Sequence, residues 1–201
     1  MQERITLSGV ITADFGRAVR GYEDYKWIVE EIFYKLSHKF KLLRTEPNAA
    51  VFSGGFVSVL QMASIGEVHE FSLAFRDVVS SSLIDSILEE TLYYCLSATV
   101  NCTIKLQDNL DFALSKLYVN AEKFSKAQQS KTYWFQTRYK NVQFEVSVYT
   151  EKLTFYVSFK VDPETYRENL FTSFLQDLGL IKEEQQNKYG ILGKIVKLIK
   201  G

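Results

Sequence analysis

The chain has 201 residues, 46% of them hydrophobic and 14% aromatic, so it can bury a core as one large domain or as two small ones. Its 24 Lys and Arg balance its 24 Asp and Glu, and this neutrality favours neither a nucleic-acid partner nor an acidic substrate. Two cysteines are too few for a secreted disulfide scaffold. We interpret Cys95 and Cys102 as buried free thiols, with a local disulfide as the alternative.

The ends and apolar runs of the sequence bear on its compartment. The first residues, Met-Gln-Glu-Arg-Ile-Thr-Leu, lack the apolar region of a signal peptide. No apolar run approaches the roughly 20 residues of a membrane span. We therefore expect a cytoplasmic protein.

The first half begins with a strand, since Ile5, Leu7 and Ile11 alternate with polar residues. Residues 14–21 read as a connector. Helical spacing then predicts a helix over residues 22–43, which Pro47 ends. Three strands are predicted next, near Val51 and over residues 56–62 and 68–75.

A second helix closes this half. Ser82 with Asp85 three residues later resembles a capping box, and the helix predicted from there carries apolar residues as far as Cys95. Alternation from Val100 to Leu106 predicts the strand that follows.

The region from 108 to 124 has two interpretations. Asp108 or Asn109 could cap a helix that runs through Leu117 to Phe124, but residues 112–116 also alternate as in a strand.

The rest of the second half has clearer signals. Three strands over residues 133–140, 142–149 and 153–161 are joined by connections short enough for antiparallel hairpins. Asp162 as N-cap with Pro163 at the first helical position predicts a final helix, which Gly179 ends.

These elements predict an α+β fold of antiparallel sheets with helices packed on one face. We divide the chain into a first unit (1–98), a second unit (99–180) and a C-terminal segment (181–201), with the units packed as one globule. A β-α-β-β-β-α pattern fits both units. Either an internal repeat or the chance reuse of common elements explains that likeness.

The residues that usually carry chemistry are sparse. Of the two histidines, His38 lies in a predicted Lys-rich helix, and we expect its side chain to be exposed to solvent. His69 shares a predicted strand face with Phe71, and we expect it to be a core or edge residue. Zinc prefers several His or Cys ligands, so we predict no metal site at His69 despite its acidic neighbours Glu67 and Glu70. We predict no enzyme, no cofactor and no small-molecule ligand.

The second three-strand run predicts a binding surface, because its two faces differ. Its apolar face should pack on helices. The opposite face carries aromatic and basic residues that suit a protein partner or the stacking of single-stranded nucleic acid. Packing against another layer or subunit, or plain exposure to solvent, are the structural alternatives. The candidate binding residues are Trp134, Arg138, Lys140, Tyr149, Tyr156 and Lys160.

A second candidate surface is the C-terminal segment, an amphipathic helix of about eleven residues, too short to be stable alone. Lys194, Lys197 and Lys200 lie opposite its apolar arc. Three docking sites fit it: the core of the same chain, a partner or second copy, and an anionic membrane surface. The apolar arc comprises Ile191, Leu192, Ile195, Val196, Leu198 and Ile199.

The sequence thus predicts a non-catalytic protein that binds a macromolecule, with a protein partner or self-association first. Single-stranded nucleic-acid binding is the alternative. An enzyme with an unrecognised carboxylate site is the third possibility, and it would require a carboxyl group of raised pKa in a pocket.

Overall fold

The structure is a computed structural model that describes residues 5–20, 22–46, 48–60, 67–106, 110–127 and 131–181. These ranges hold ten strands and four helices, which confirms the α+β class. The strands are β1 (Thr6–Arg20), β2 (Leu42–Glu46), β3 (Ala49–Phe52), β4 (Gly55–Leu60), β5 (Glu67–Val78), β6 (Ser97–Lys105), β7 (Ala121–Lys126), β8 (Thr132–Tyr139), β9 (Val142–Tyr149) and β10 (Thr154–Val161). The helices are α1 (Tyr22–Lys39), α2 (Ser81–Leu92), α3 (Leu110–Asn120) and α4 (Leu170–Asp177).

All ten strands form one antiparallel sheet, in the order β2-β3-β4-β5-β1-β6-β10-β9-β8-β7. β1 lies in the middle and pairs with β5 on one side and β6 on the other. It is longer than the sequence indicates, because residues 14–20, read above as a connector, continue the strand past a register shift between Asp14 and Val19. The β1–β6 pair joins the two halves of the chain in one sheet.

The helices cover one face of this sheet, as the apolar alternation predicts. Along β9, Val142, Phe144, Val146 and Val148 are buried, while the residues between them are more accessible. The Phe174 ring of α4 stacks 4.0 Å from that of Phe144. Tyr118 of α3 packs on Phe135 of β8, and Phe33 of α1 packs on Phe52 of β3. Cross-strand register places these strand residues on the same side, so the core lies between helices and sheet.

The central strands approach each other closely at Gly9. A Cβ atom there would lie 2.1 Å from the Asn101 carbonyl oxygen of β6 and 2.9 Å from the Phe75 ring of β5. Both contacts are shorter than any real Cβ contact, so β1 can sit at this spacing only with glycine at position 9.

A buried carboxylate holds α4 against α2. Asp85 of α2 is 3% exposed, and its two oxygens accept the backbone N–H groups of Phe171 and Thr172, each at 2.9 Å. These are free N–H groups of the first turn of α4, where the helix dipole also favours a negative charge. The capping-box interpretation of Ser82 and Asp85 is therefore wrong, because Asp85 caps a different helix.

The start of α4 also differs from the prediction. Asp162 does act as a cap, since its Oδ1 accepts the N–H groups of Glu164 and Thr165, but the turn it caps ends before the helix. Asn169 then takes a left-handed conformation (φ 55°), and α4 begins at Leu170. The predicted end is confirmed: Gly179 (φ 70°) donates its N–H to the Gln176 oxygen at 2.8 Å.

Both edge strands lie where the sequence predicts helix. α1 ends at Lys39 rather than Leu43, and residues 42–46 form β2. α3 ends at Asn120, and residues 121–126, including Phe124, form β7. Each half therefore has four strands between its helices, and the β-α-β-β-β-α pattern is one strand short. An internal repeat stays a prediction.

The free edges are poorly suited to pairing with another sheet. β2 and β7 each carry a register shift next to charged residues, at Leu42/Arg44 and at Ala121/Lys123 respectively. Bulges and edge charges are devices that discourage edge-to-edge association.

We predict that Gly9→Ala destabilises the protein by more than about 2 kcal/mol, because β1 must move away from β6 to admit a methyl group. Urea unfolding followed by circular dichroism measures this. Gly54→Ala is the matched control, since its Cβ would lie 3.6 Å from the nearest Leu83 carbon, an ordinary contact. Equal unfolding midpoints for the two variants would contradict the close approach.

We also predict a pH-dependent role for Asp85. Burial raises the pKa of its carboxyl group above its usual range, although the N–H donors of Thr172 and Phe171 oppose the shift. A carboxyl with a raised folded-state pKa contributes stability that is complete below the unfolded pKa of about 4 and is lost as pH rises. The difference in unfolding free energy between wild type and Asp85→Asn should therefore fall from pH 4 towards pH 7.

Asp162→Asn is the control for this pH series. The N–H of Thr165 lowers the pKa of the Asp162 carboxyl, so its difference from wild type should stay constant above pH 4. A wild-type advantage over Asp85→Asn that grows with pH would refute the assigned direction.

Candidate functional site

The side of the sheet opposite the helices, called here the open face, carries the predicted strand residues. Its cross-strand rows run from β8 to β6. One row places Trp134 opposite Ser147, Ser147 opposite Tyr156, and Tyr156 opposite Thr103. The next row aligns Gln136, Glu145, Ser158 and Asn101 in the same way. None of the four helices in the described part of the chain packs on this side.

Asn101 organises the centre of the open face. Its Oδ1 atom accepts hydrogen bonds from Tyr156 Oη and Ser158 Oγ, both at 2.9 Å. Tyr156 and Ser158 belong to β10, and Asn101 belongs to the neighbouring β6. The tyrosine ring is held in place by this bond while 38% of its surface stays exposed.

Two more aromatic residues lie on the same face. Trp134 is half-buried in β8, two strands from Tyr156. Tyr149 is 41% exposed at the end of β9, opposite Thr132 and Thr154. The structure therefore brings Trp134, Tyr149 and Tyr156 onto one surface, with hydroxyl and amide groups between them.

The charges of this surface partly cancel. Arg138 Nε lies 3.1 Å from Glu122 Oε1 of β7, so its guanidinium is already paired. Glu145 lies exposed in the row of Asn101. Lys160 is exposed on β10 opposite Thr99, and Lys105 is exposed at the end of β6.

Lys140 is separated from the other predicted residues. It lies in the two-residue turn between β8 and β9, where Lys140 and Asn141 both have positive φ, as in a type I′ hairpin. Its Nζ lies 5.5 Å from the centre of the Tyr139 ring, which packs on Phe174 of α4. Its charge also acts on Asp85 in the helix layer. It therefore faces the helices, unlike Trp134 and Tyr156.

The second predicted surface, residues 191–199 with Lys194 and Lys197, lies outside the described residues, which end at Ile181.

Sequence reasoning missed the β6 part of the surface. The polar residues Thr99, Asn101 and Thr103 alternate with the apolar residues of β6, so a two-faced strand is visible in the sequence. What the sequence does not show is that β6 lies beside β10, which is about 50 residues distant. Only that neighbour relation makes Asn101 the hydrogen-bond partner of Tyr156.

Other potentially reactive groups serve the core. Cys95 and Cys102 are buried free cysteines, as predicted. Within the described ranges, no cluster of three or more His, Cys, Asp or Glu could hold a metal ion. No helix in those same ranges has the length and apolar character needed to cross a membrane.

The chain matches no protein-family model, no curated protein and no solved structure.

We predict that neither cysteine reacts with a thiol reagent in the native protein. Burial raises the pKa of each thiol to about 12, so the thiolate at pH 8 is roughly a thousandfold scarcer than for a free cysteine. Titration with Ellman's reagent should detect no fast thiol in buffer and two thiols in urea. A thiol that reacts rapidly in buffer would show that one site opens in the native state.

Proposed function

We propose that this chain is a non-catalytic protein-binding protein whose partner lies across the open face of the sheet. The observation that carries the proposal is the set of three exposed or half-buried aromatic residues, Trp134, Tyr149 and Tyr156. They lie among hydroxyl and amide groups, with Glu145 as the charged residue of the two central rows. The buried free thiols fit a reducing compartment, so we place this activity in the cytoplasm.

The composition of the open face supports a protein partner. Protein interfaces are enriched in Tyr and Trp at their centres and depleted of charge there. Tyr supplies a large contact area at little entropic cost, while Ser and Asn supply adaptable hydrogen bonds. Tyr156, Ser158 and Asn101 form such a group, and their mutual bonds hold the tyrosine ring before any partner arrives.

The size of the face is also adequate. Strands lie about 4.8 Å apart and rise about 3.4 Å per residue, so the five strands from β1 to β8 present roughly 600 Å² of projected surface. A standard interface buries about 800 Å² of accessible surface per partner. Accessible surface is larger than projected area because side chains protrude, so the two figures are comparable. A partner would have to cover most of this side, including the Asn101 row.

Single-stranded nucleic acid has less support. Phosphate binding needs unpaired cations along a path, but Arg138 is paired with Glu122 and Lys140 faces the helices. Glu145 would repel a phosphate chain from the middle of the face. Lys105, Lys123 and Lys160 are open-face cations that could still contribute.

An enzyme with a carboxylate site has less support as well. Asp85 is the buried carboxyl of raised pKa in the described part of the chain, and backbone N–H groups occupy both of its oxygens. A carboxylate that caps a helix in this way is poorly placed to exchange protons with a substrate.

The test is affinity capture from extracts of the source cells with wild type and two single variants, Trp134→Ala and Tyr156→Ala. A partner captured by wild type is identified by mass spectrometry, purified and titrated by calorimetry. Each variant should weaken its binding at least 30-fold, because truncating a central aromatic anchor costs about 2 kcal/mol or more.

Tyr93→Ala is the matched control, because Tyr93 is highly exposed at the end of α2, on the helix side. A partner that binds all four proteins equally would refute the open-face site. A mixed-sequence 20-nucleotide single strand is titrated in parallel at 50 and 200 mM salt. Binding of that strand that falls steeply with salt and is lost in both open-face variants would replace the protein-binding proposal.

A further inference from the structure

The helix side carries a second surface, which the proposed function does not use. It consists of Phe112, Tyr118 and Val119 of α3 with Phe124 of β7, here called the α3 surface. These side chains are 49%, 47%, 82% and 46% exposed respectively. The rings of Tyr118 and Phe124 touch at 5.0 Å between centroids. Exposed apolar side chains in this number on one short helix and its neighbouring strand usually mark a contact site.

The helix layer is incomplete at this place. α3 has 11 residues against 18 in α1, and it lies at the edge of the layer above β7 and β8. One side of α3 buries Leu110, Ala113 and Leu117 against the sheet. Phe112 and Val119, two turns apart, point away from the sheet. A helix that is apolar on two sides is suited to two partners. Within the described residues, α3 has the sheet on one side, and Gly179 lies against Phe112 on the other.

The described chain ends beside this surface. At the end of α4, Gly179 passes so close to Phe112 that a Cβ atom would lie 2.4 Å from the ring. Leu180 is buried, and Ile181 packs at the margin of the core. The remaining 20 residues, 182–201, therefore start next to the α3 surface.

The length of that segment allows it to reach the whole surface. Residues 182–190 can span up to about 30 Å when extended, whereas an 11-residue helix is only about 16 Å long. Residues 191–199 then supply six apolar side chains on one arc of a helix that cannot be stable without a surface to fold on. Both the segment and the α3 surface have apolar area to bury.

We propose that residues 191–199 dock as a helix on the α3 surface of their own chain. Tethering by a nine-residue linker gives an effective concentration near the millimolar range, so docking in the same chain outcompetes docking on a second copy at micromolar protein. Lys116 and Lys126 flank the surface, over the rings of Phe112 and Tyr133. Because these two lysines would repel Lys194, Lys197 and Lys200, the proposed contact uses the apolar arc and leaves the lysines of the segment to solvent.

Docking on its own chain would give the C-terminal segment a structural role. A segment that covers its own chain is an added part of the helix layer rather than an anchor for an anionic membrane or an element that joins copies. It is independent of the open face, which lies on the opposite side of the sheet.

The test is disulfide formation between Val119→Cys and Ile195→Cys in one chain. Cys95 and Cys102 are buried with pKa values near 12, so they do not compete. Two matched pairs serve as controls: Val119→Cys with Lys197→Cys, on the polar arc, and Tyr93→Cys with Ile195→Cys, on a distant part of the helix layer. Mild oxidation at 1 μM protein is followed on non-reducing gels.

We expect the Val119–Ile195 pair to close within the monomer at least tenfold faster than either control, at both low and high salt. Equal rates for the three pairs would overturn the proposal, as would disulfide-linked dimers as the main product at 1 μM. Disulfide formation that disappears at high salt would also contradict an apolar contact.

A second measurement needs no cysteine variant. Backbone hydrogen exchange is compared between the full chain and a chain that ends at Gly190. Docking should slow exchange in residues 110–126 of the full chain by at least tenfold, with little change in β3 to β5. Identical exchange in α3 and β7 of both chains would overturn the proposal.

Discussion

The antiparallel pairing of β1 with β6 is the constraint on which the rest of this structure depends. It runs in continuous register from Thr6 opposite Lys105 to Asp14 opposite Ser97, and it joins five strands of the first half to five of the second. Gly9 allows the backbones to approach at this seam. Because one sheet results, all four helices share one face, and the other face is left to the polar side chains of both halves.

The helix layer is held by hydrogen bonds to a buried carboxyl group as well as by apolar packing. Asp85 gives up the solvation of its carboxylate to bind two N–H groups at the start of α4, and burial raises its pKa as a consequence. A buried charge without partners would cost several kcal/mol, so the carboxylate favours the arrangement in which α4 presents those N–H groups. The position of α4 then sets where the chain leaves the core, beside Phe112.

The two surfaces of the molecule therefore have different chemistry. The open face is polar and aromatic, with its central tyrosine held by Asn101, and it is the proposed site of a protein partner. The α3 surface is apolar, lies next to Gly179 near the end of the described chain, and is the proposed docking site of the C-terminal segment. Most of the open-face binding residues are predictable from the sequence, since alternation along the strands places Trp134, Tyr149 and Tyr156 on the same face. Asn101 was not, and Lys140 was assigned to the wrong side, because a hairpin turn does not follow strand alternation.

The sequence by itself determined the α+β class, the central strands, the three hairpin strands of the second half, the buried thiols and the end of α4 at Gly179. These features rest on local periods and on local backbone preferences. Only the tertiary structure decided strand order, the edge strands β2 and β7, and the cap that Asp85 places on α4. The physical reason is that residues 42–46 and 121–126 have little local preference. They become strands because a neighbouring strand offers hydrogen bonds, and no local pattern encodes that neighbour.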